Sequence, residues 1–153
     1  MTQHVFHLQA HWPGGRNDTG TLETKNLKTS ISIPPEMDGP GVGTNPDEML
    51  LGAAATCYII TLAAMMERSK IEKLDLTMES EGYVEVINEI ITYKRIVHKP
   101  VVTLKKETSK KISTMLQKLA IKAENSCMIS RALQGNVDVE AILTITYHLD
   151  DGY

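Results

Sequence analysis

Residues Thr44–Lys70, TNPDEMLLGAAATCYIITLAAMMERSK, decide how the rest of the chain is read. They predict one long helix. Asn45 is a ready N-cap, and Pro46 stands at the first helical position, where a missing N–H costs nothing. Glu48 is spaced to close a capping box with Asn45. Gly52, Ala53, Ala54, Ala55 and Thr56 lead into Cys57, so another backbone has room to approach the helix at its thiol. Ala53, Cys57, Ile60 and Ala64 fall on one stripe, with Met49, Thr56, Ala63 and Met66 beside it. Tyr58, Ile59 and Leu62 cover the other faces. A helix apolar nearly all round is buried in a large core or between subunits. A domain of 153 residues has little core to hide it completely. The expectation is a homodimer that shares this helix, against the alternative of a helix wrapped by its own sheet.

Outward from the helix, the flanks read as strands. Val5–Trp12 alternates, with Phe6, Leu8, Ala10 and Trp12 on one face. PGGRNDTG (Pro13–Gly20) is a turn, and Thr21–Lys25 and Leu27–Ile33 are two further short strands. PPEMDGPGVG (Pro34–Gly43) carries too much proline and glycine to extend either element, so it is a shaped loop feeding the helix. Beyond the helix, Leu74–Val86 and Glu89–Leu104 predict a hairpin turning at Ile87–Glu89, with Ile91, Tyr93, Arg95 and Val97 on one face. Thr108–Ala123 is an amphipathic helix with Ile112, Met115, Leu116, Leu119 and Ala120 on its stripe. Asn125–Leu133 gives one or two helical turns around Cys127. Val137–Leu149 alternates as a last strand. The order β-β-β-α-β-β-α-β, with strands in hairpins and helices set apart, indicates an α+β fold in one domain spanning 1–153.

Composition removes several classes. A net charge of −3 gives no support for nucleic acid or an anionic membrane as partner. MTQHVFHLQAHW has no basic segment followed by an apolar one, so no signal peptide is expected. Met49–Met66 is broken by Gly52, Thr56 and Thr61 and reads as too weakly apolar for a bilayer span. The expected location is the cytoplasm, where two cysteines are inert or reactive rather than a structural staple.

Chemistry centres on Cys57. Cys57 and Cys127 have no cluster of further ligands, which argues against a metal site. His7 and His11 share a strand face but stand ~13 Å apart by strand rise. No histidine carries a motif tying it to a thiol, so a Cys–His hydrolase is a poor reading. Arg16 sits at the tip of a Gly-Gly-Arg turn: either a solvated turn residue or a cation that favours a nearby thiolate. Asp47 and Glu48 open the helix, and either is a candidate to hold an arginine by a bidentate pair, Asp47 being favoured because Glu48 has the capping job. Helix rise puts Asp47 ~15 Å from Cys57, so an arginine touching both implies a partner subunit or a folded-back loop. On the residues alone, an inert buried thiol stays open for both cysteines.

GGR (Gly14–Arg16), GVGTNPDEML (Gly41–Leu50), AAATC (Ala53–Cys57), CMISRAL (Cys127–Leu133) and GNVDVE (Gly135–Glu140) occur in an order that resembles the OsmC/Ohr family of thiol-dependent peroxidases. The resemblance covers nearly the whole chain. It implies an OsmC-like fold of antiparallel sheets and two main helices, in an intertwined homodimer with active sites at the subunit interface. It makes Cys57 the peroxidatic thiol and Cys127 the resolving thiol that closes a disulfide with it, reopened by a dithiol reductant. It has Arg16 lower the Cys57 pKa and polarise the peroxide, with Asp47 holding Arg16. Met49, Leu50 and Ile60 become apolar neighbours that favour organic hydroperoxides over hydrogen peroxide. No metal, flavin or haem is needed. The family's usual glutamate is Asp47 here, with Glu48 beside it, and the proline that usually follows the second cysteine is Met128. The alternative function is a non-enzymatic dimeric module binding a small apolar ligand at the subunit seam.

Overall fold

The computed structural model describes residues 1–148; Leu149, the expected end of the last strand, lies outside the described residues. The chain divides into two compact units, Met1–Met49 and Leu50–Tyr153.

The first unit is an antiparallel three-stranded sheet of β1 (Gln9–His11), β2 (Gly20–Glu23) and β3 (Lys28–Ile31) in that order. β1 is shorter than its alternation predicts. Gln9 pairs with Glu23, and β2 ends there because the Thr24 hydroxyl accepts the Leu27 N–H (3.0 Å) and turns the chain. Residues before Gln9 therefore have no strand opposite them. Val5, Phe6 and Leu8 are left exposed, as is Trp12. The proline-glycine loop is folded back by Ser32, whose hydroxyl donates to the Val42 carbonyl and accepts the Val42 N–H (2.8 and 2.7 Å). Asn45 caps the following helix, accepting the Glu48 N–H at 3.0 Å. The Glu48 carboxylate does not complete the expected box; it takes the Thr44 hydroxyl instead, at 2.9 Å.

α1 (Pro46–Arg68) is the long helix. It stops in a Schellman motif: Lys70 adopts φ 56°, the Lys70 N–H bonds the Glu67 carbonyl and the Ile71 N–H bonds the Met66 carbonyl, each at 3.0 Å. By length and composition alone α1 could cross a bilayer, a test that core helices also pass. In this fold it is the core helix: Ala54, Tyr58, Leu62, Met65 and Met66 are buried.

β4 (Asp75–Ile87) and β5 (Ile90–Lys105) form the expected hairpin. Asn88 and Glu89 both take positive φ (49° and 64°), the two-residue turn whose twist suits antiparallel strands. A bulge opposite Tyr83 and Val84 adds one residue to β5 and flips its faces. Tyr93 faces the core before the bulge, but Ile96, His98, Val102 and Leu104 do so after it, and Arg95 is outside. α2 (Lys110–Ser126) and α3 (Met128–Leu133) then carry the chain across to β6 (Asp138–Ala141) and β7 (Thr144–His148). Both of these strands run parallel to β5, correcting the all-antiparallel expectation. A crossover through helices returns the chain in the same direction, as a hairpin cannot.

The single last strand expected over Val137–Leu149 is two strands on one register. Ile142 donates to the His98 carbonyl at 2.8 Å. The next ladder bond toward the Ile142 carbonyl would come from residue 100, which is Pro100 and has no N–H. The main core joins Tyr58, Leu62 and Met66 of α1 to Val102 and Leu104 of β5 and Leu116 and Ala123 of α2.

Candidate functional site

The second unit brings the two cysteines together. Cys57 lies in the middle of α1, partly exposed; Cys127 is buried, 1% exposed, at the junction of α2 and α3. The junction is a break because Cys127 takes φ −59°, ψ 127°, outside the helical region. Its N–H closes α2 on the Ala123 carbonyl (2.9 Å), and its carbonyl accepts the Arg131 N–H (3.0 Å) to open α3. This kink turns the first N–H groups of α3 and the Cys127 thiol toward Cys57.

Burial raises the pKa of the Cys57 thiol, but hydrogen bonds outweigh it and the net displacement is downward. The donors are the Cys127 thiol and the backbone N–H groups of Ile129 and Met128, with a smaller lowering from the nearby Thr61 hydroxyl. Cys127 moves the other way. Burial and its bond to Cys57 raise it, against a smaller lowering by the Ser130 N–H and hydroxyl and by the Ile129 N–H. The pair is therefore asymmetric: charge is favoured on Cys57, and the Cys127 proton serves it as a donor.

Thr61 and Ser130 were not singled out from the sequence. The signal was available, since each lies one helical turn after its cysteine, at i+4 and i+3. Thr61 also anchors itself by donating to the Cys57 carbonyl at 2.7 Å.

Arg16 and Asp47 lie in the first unit. The Trp12 indole N–H bonds the Gly15 carbonyl at 2.9 Å and fixes the Gly-Gly-Arg turn. The Arg16 guanidinium donates to the Met37 carbonyl (2.8 Å), the Asp38 carbonyl (3.4 Å) and the Asn17 side chain (2.8 Å). Asp47 is half-buried in the first turn of α1. Of the expected apolar neighbours, Met49 and Leu50 are half-buried, while Ile60, one turn after Cys57, is 62% exposed. Among the described residues no group of three or more His, Cys, Asp and Glu is arranged to hold a metal ion.

A second buried polar group lies behind the site. Tyr58 and His98 stack with ring centroids 4.9 Å apart. The Tyr58 hydroxyl donates to the Ala120 carbonyl (3.0 Å), and burial, with the Glu124 carboxylate adding to it, raises its pKa. His98 shares a 2.7 Å hydrogen bond with Ser80 through Nδ1, and burial pushes its pKa down to about 4.

Known proteins share this fold. Residues 39–141 match the model of the OsmC-like protein family. The uncharacterized protein YmaD of Bacillus subtilis (strain 168) is 66% identical over 140 residues, covering 92% of this chain and 93% of its own. An organic hydroperoxide resistance protein of Xanthomonas axonopodis pv. citri is 31% identical over 140 residues, covering 91% and 94%. The crystal structure of an organic hydroperoxide resistance protein OsmC from Legionella pneumophila superposes with a TM-score of 0.74 at 26% identity, over 95% of this chain and 99% of that one. With its fold matched along nearly the whole length and the family model covering both cysteines, the chain belongs to the OsmC-like protein family.

Proposed function

We propose that the protein is a thiol-dependent peroxidase that reduces organic hydroperoxides. The observation that carries the reading is the Cys57–Cys127 pair, with a thiol whose pKa is displaced downward hydrogen-bonded to a buried second thiol. Cys57 thiolate attacks the distal oxygen of the hydroperoxide. The O–O bond breaks, the alkoxide leaves and takes up a proton to become the alcohol, and Cys57 is oxidised to a sulfenic acid. Cys127 sulfur then displaces the hydroxyl as water and forms the disulfide. A dithiol reductant restores both thiols. The cytoplasm, a reducing compartment, suits such a cycle.

Arg16 and Asp47 are proposed for the roles that the family resemblance gives them, the first stabilising the Cys57 thiolate and the peroxide, the second orienting the first. Met49, Leu50 and Ile60 are proposed to favour organic peroxides. The working state is proposed to be a homodimer. Exposed Val5, Phe6 and Leu8 in the first unit and Ile60 on α1 support this, since large apolar groups left on a chain's surface mark contact sites. Sedimentation should give twice the chain mass at micromolar concentration; a monomer alone refutes the dimer.

The test of the activity is a stoichiometric one. One equivalent of cumene hydroperoxide should remove both free thiols of the wild type, and Cys57→Ser should consume no peroxide. Equal decomposition by wild type and Cys57→Ser ends the proposal. Arg16→Gln should slow peroxide consumption with the disulfide still forming.

A further inference from the structure

The two sulfurs are not equally reachable. Cys127 is 1% exposed and sits in the crook between α2 and α3, whereas Cys57 is partly exposed on α1. Thiol–disulfide exchange needs the attacking sulfur to come in line with the one it attacks. A reductant from solution therefore meets Cys57. The sulfur that leaves is Cys127, and it leaves into a buried place, where a bare thiolate is costly.

That place holds one side chain suited to the charge. Ser130 is three residues after Cys127 on α3, so the two side chains share a face. Ser130 is itself 6% exposed, and its hydroxyl oxygen is sealed from solvent. A polar cavity of about 360 Å³ lies next to it, lined by Glu124, Asn125, Arg131, Gln134 and Asp138, yet the hydroxyl finds no partner among them. At i+3 on the same helical face, the hydroxyl stands on the side of the Cys127 sulfur and makes no hydrogen bond while that thiol is neutral. A buried hydroxyl with no partner costs stability. Charge on Cys127 gives it a strong acceptor.

We propose that Ser130 is a positioning residue for the reductive half of the cycle: the reductant attacks Cys57, and Cys127 departs as a thiolate held by the Ser130 hydroxyl. The assignment rests on the peroxidase reading for its place in a cycle, though the exchange chemistry does not depend on how the disulfide was made. In the first step the thiolate of a dithiol bonds to Cys57 Sγ, the Cys57–Cys127 bond breaks, and its electron pair leaves on Cys127. The second thiol of the reductant then passes its proton to Cys127 and displaces Cys57 as a thiolate. The reductant departs as its internal disulfide, oxidised by two electrons, and both cysteines are reduced.

The experiment uses the full chain oxidised with diamide, so that loss of peroxidase activity and failure of this inference are separable. A limiting monothiol, 2-mercaptoethanol, is added and free thiols are blocked with iodoacetamide before peptide mapping. The expected product carries the mixed disulfide on Cys57 and the alkyl group on Cys127; the reverse labelling overturns the proposal. Reduction by dithiothreitol is then compared with peroxide consumption in Ser130→Ala and Ser130→Thr. The ratio of the reductive to the peroxidatic rate constant should fall about tenfold in Ser130→Ala and recover in Ser130→Thr. An unchanged ratio in Ser130→Ala, or no recovery in Ser130→Thr, overturns the role of the hydroxyl.

Discussion

Lowering the pH from 7.5 to 4 should destabilise the fold through one residue, His98. Its ring is fully buried on β5, stacked on Tyr58 and bonded to Ser80, with Nε2 unpartnered. Burial lowers its folded-state pKa from 6.5 to about 4. Above pH 6.5 the imidazole is neutral folded and unfolded, and its contribution to stability is intact. As the pH falls toward 4 the unfolded chain takes up a proton that the native core refuses, so stability drops with acidification across that window. The gap between the two pKa values corresponds to roughly 3 kcal/mol, almost all of it lost by pH 4. The comparison is with His98→Phe, which keeps a ring on Tyr58 but cannot titrate. Leaving Ser80 without its partner costs the variant the same at every pH and cancels. Glu124, whose carboxyl burial raises, titrates alike in both proteins and cancels too. Urea unfolding followed by circular dichroism at pH 7.5, 6, 5 and 4, at one protein concentration because association shifts apparent stability, should show the wild type losing about 3 kcal/mol more than the variant. Parallel curves for the two proteins would refute a buried neutral histidine at position 98.

Three further outcomes are expected. Met128→Pro removes the Met128 N–H that bonds Cys57, at a first helical position that tolerates proline, so the pH midpoint for Cys57 alkylation should rise while Met128→Ala leaves it in place. Gly43 holds φ +69° with the Ser30 carbonyl oxygen 2.1 Å from where a Cβ would stand, and Gly43→Ala should cost about 2 kcal/mol or more, seen as a lower Tm. Lys70 occupies the left-handed position of the α1 Schellman motif, and Lys70→Gly should raise stability by roughly 0.5 kcal/mol in urea unfolding, because glycine takes that conformation without a Cβ clash.

How much of this was legible in the sequence follows the range of the forces involved. The start of α1 was, because Asn45 and Pro46 act within one turn, and so was the β4–β5 turn, because Asn88 tolerates positive φ. Strand direction was not. Alternation in Val137–Leu149 is the same whether the strand lies parallel or antiparallel to β5, and only the α2–α3 crossover decides it. The face of β5 was misread for a similar reason: one bulge residue, which no local pattern announces, sends Arg95 outward and His98 inward. The site divides along the same line. Nothing in the 70-residue separation of Cys57 and Cys127 says that they meet; the order of motifs suggested it, and the kink at Cys127 brings it about. What local reading did contain, and left unused, was the hydroxyl one turn beyond each cysteine. Thr61 sits beside the sulfur that reads as a thiolate at rest, and Ser130 beside the sulfur that must become one only when the disulfide opens. A pair of thiols that exchange charge during a cycle needs a polar group near each station, and the chain places a hydroxyl by each at helical spacing from the cysteines themselves.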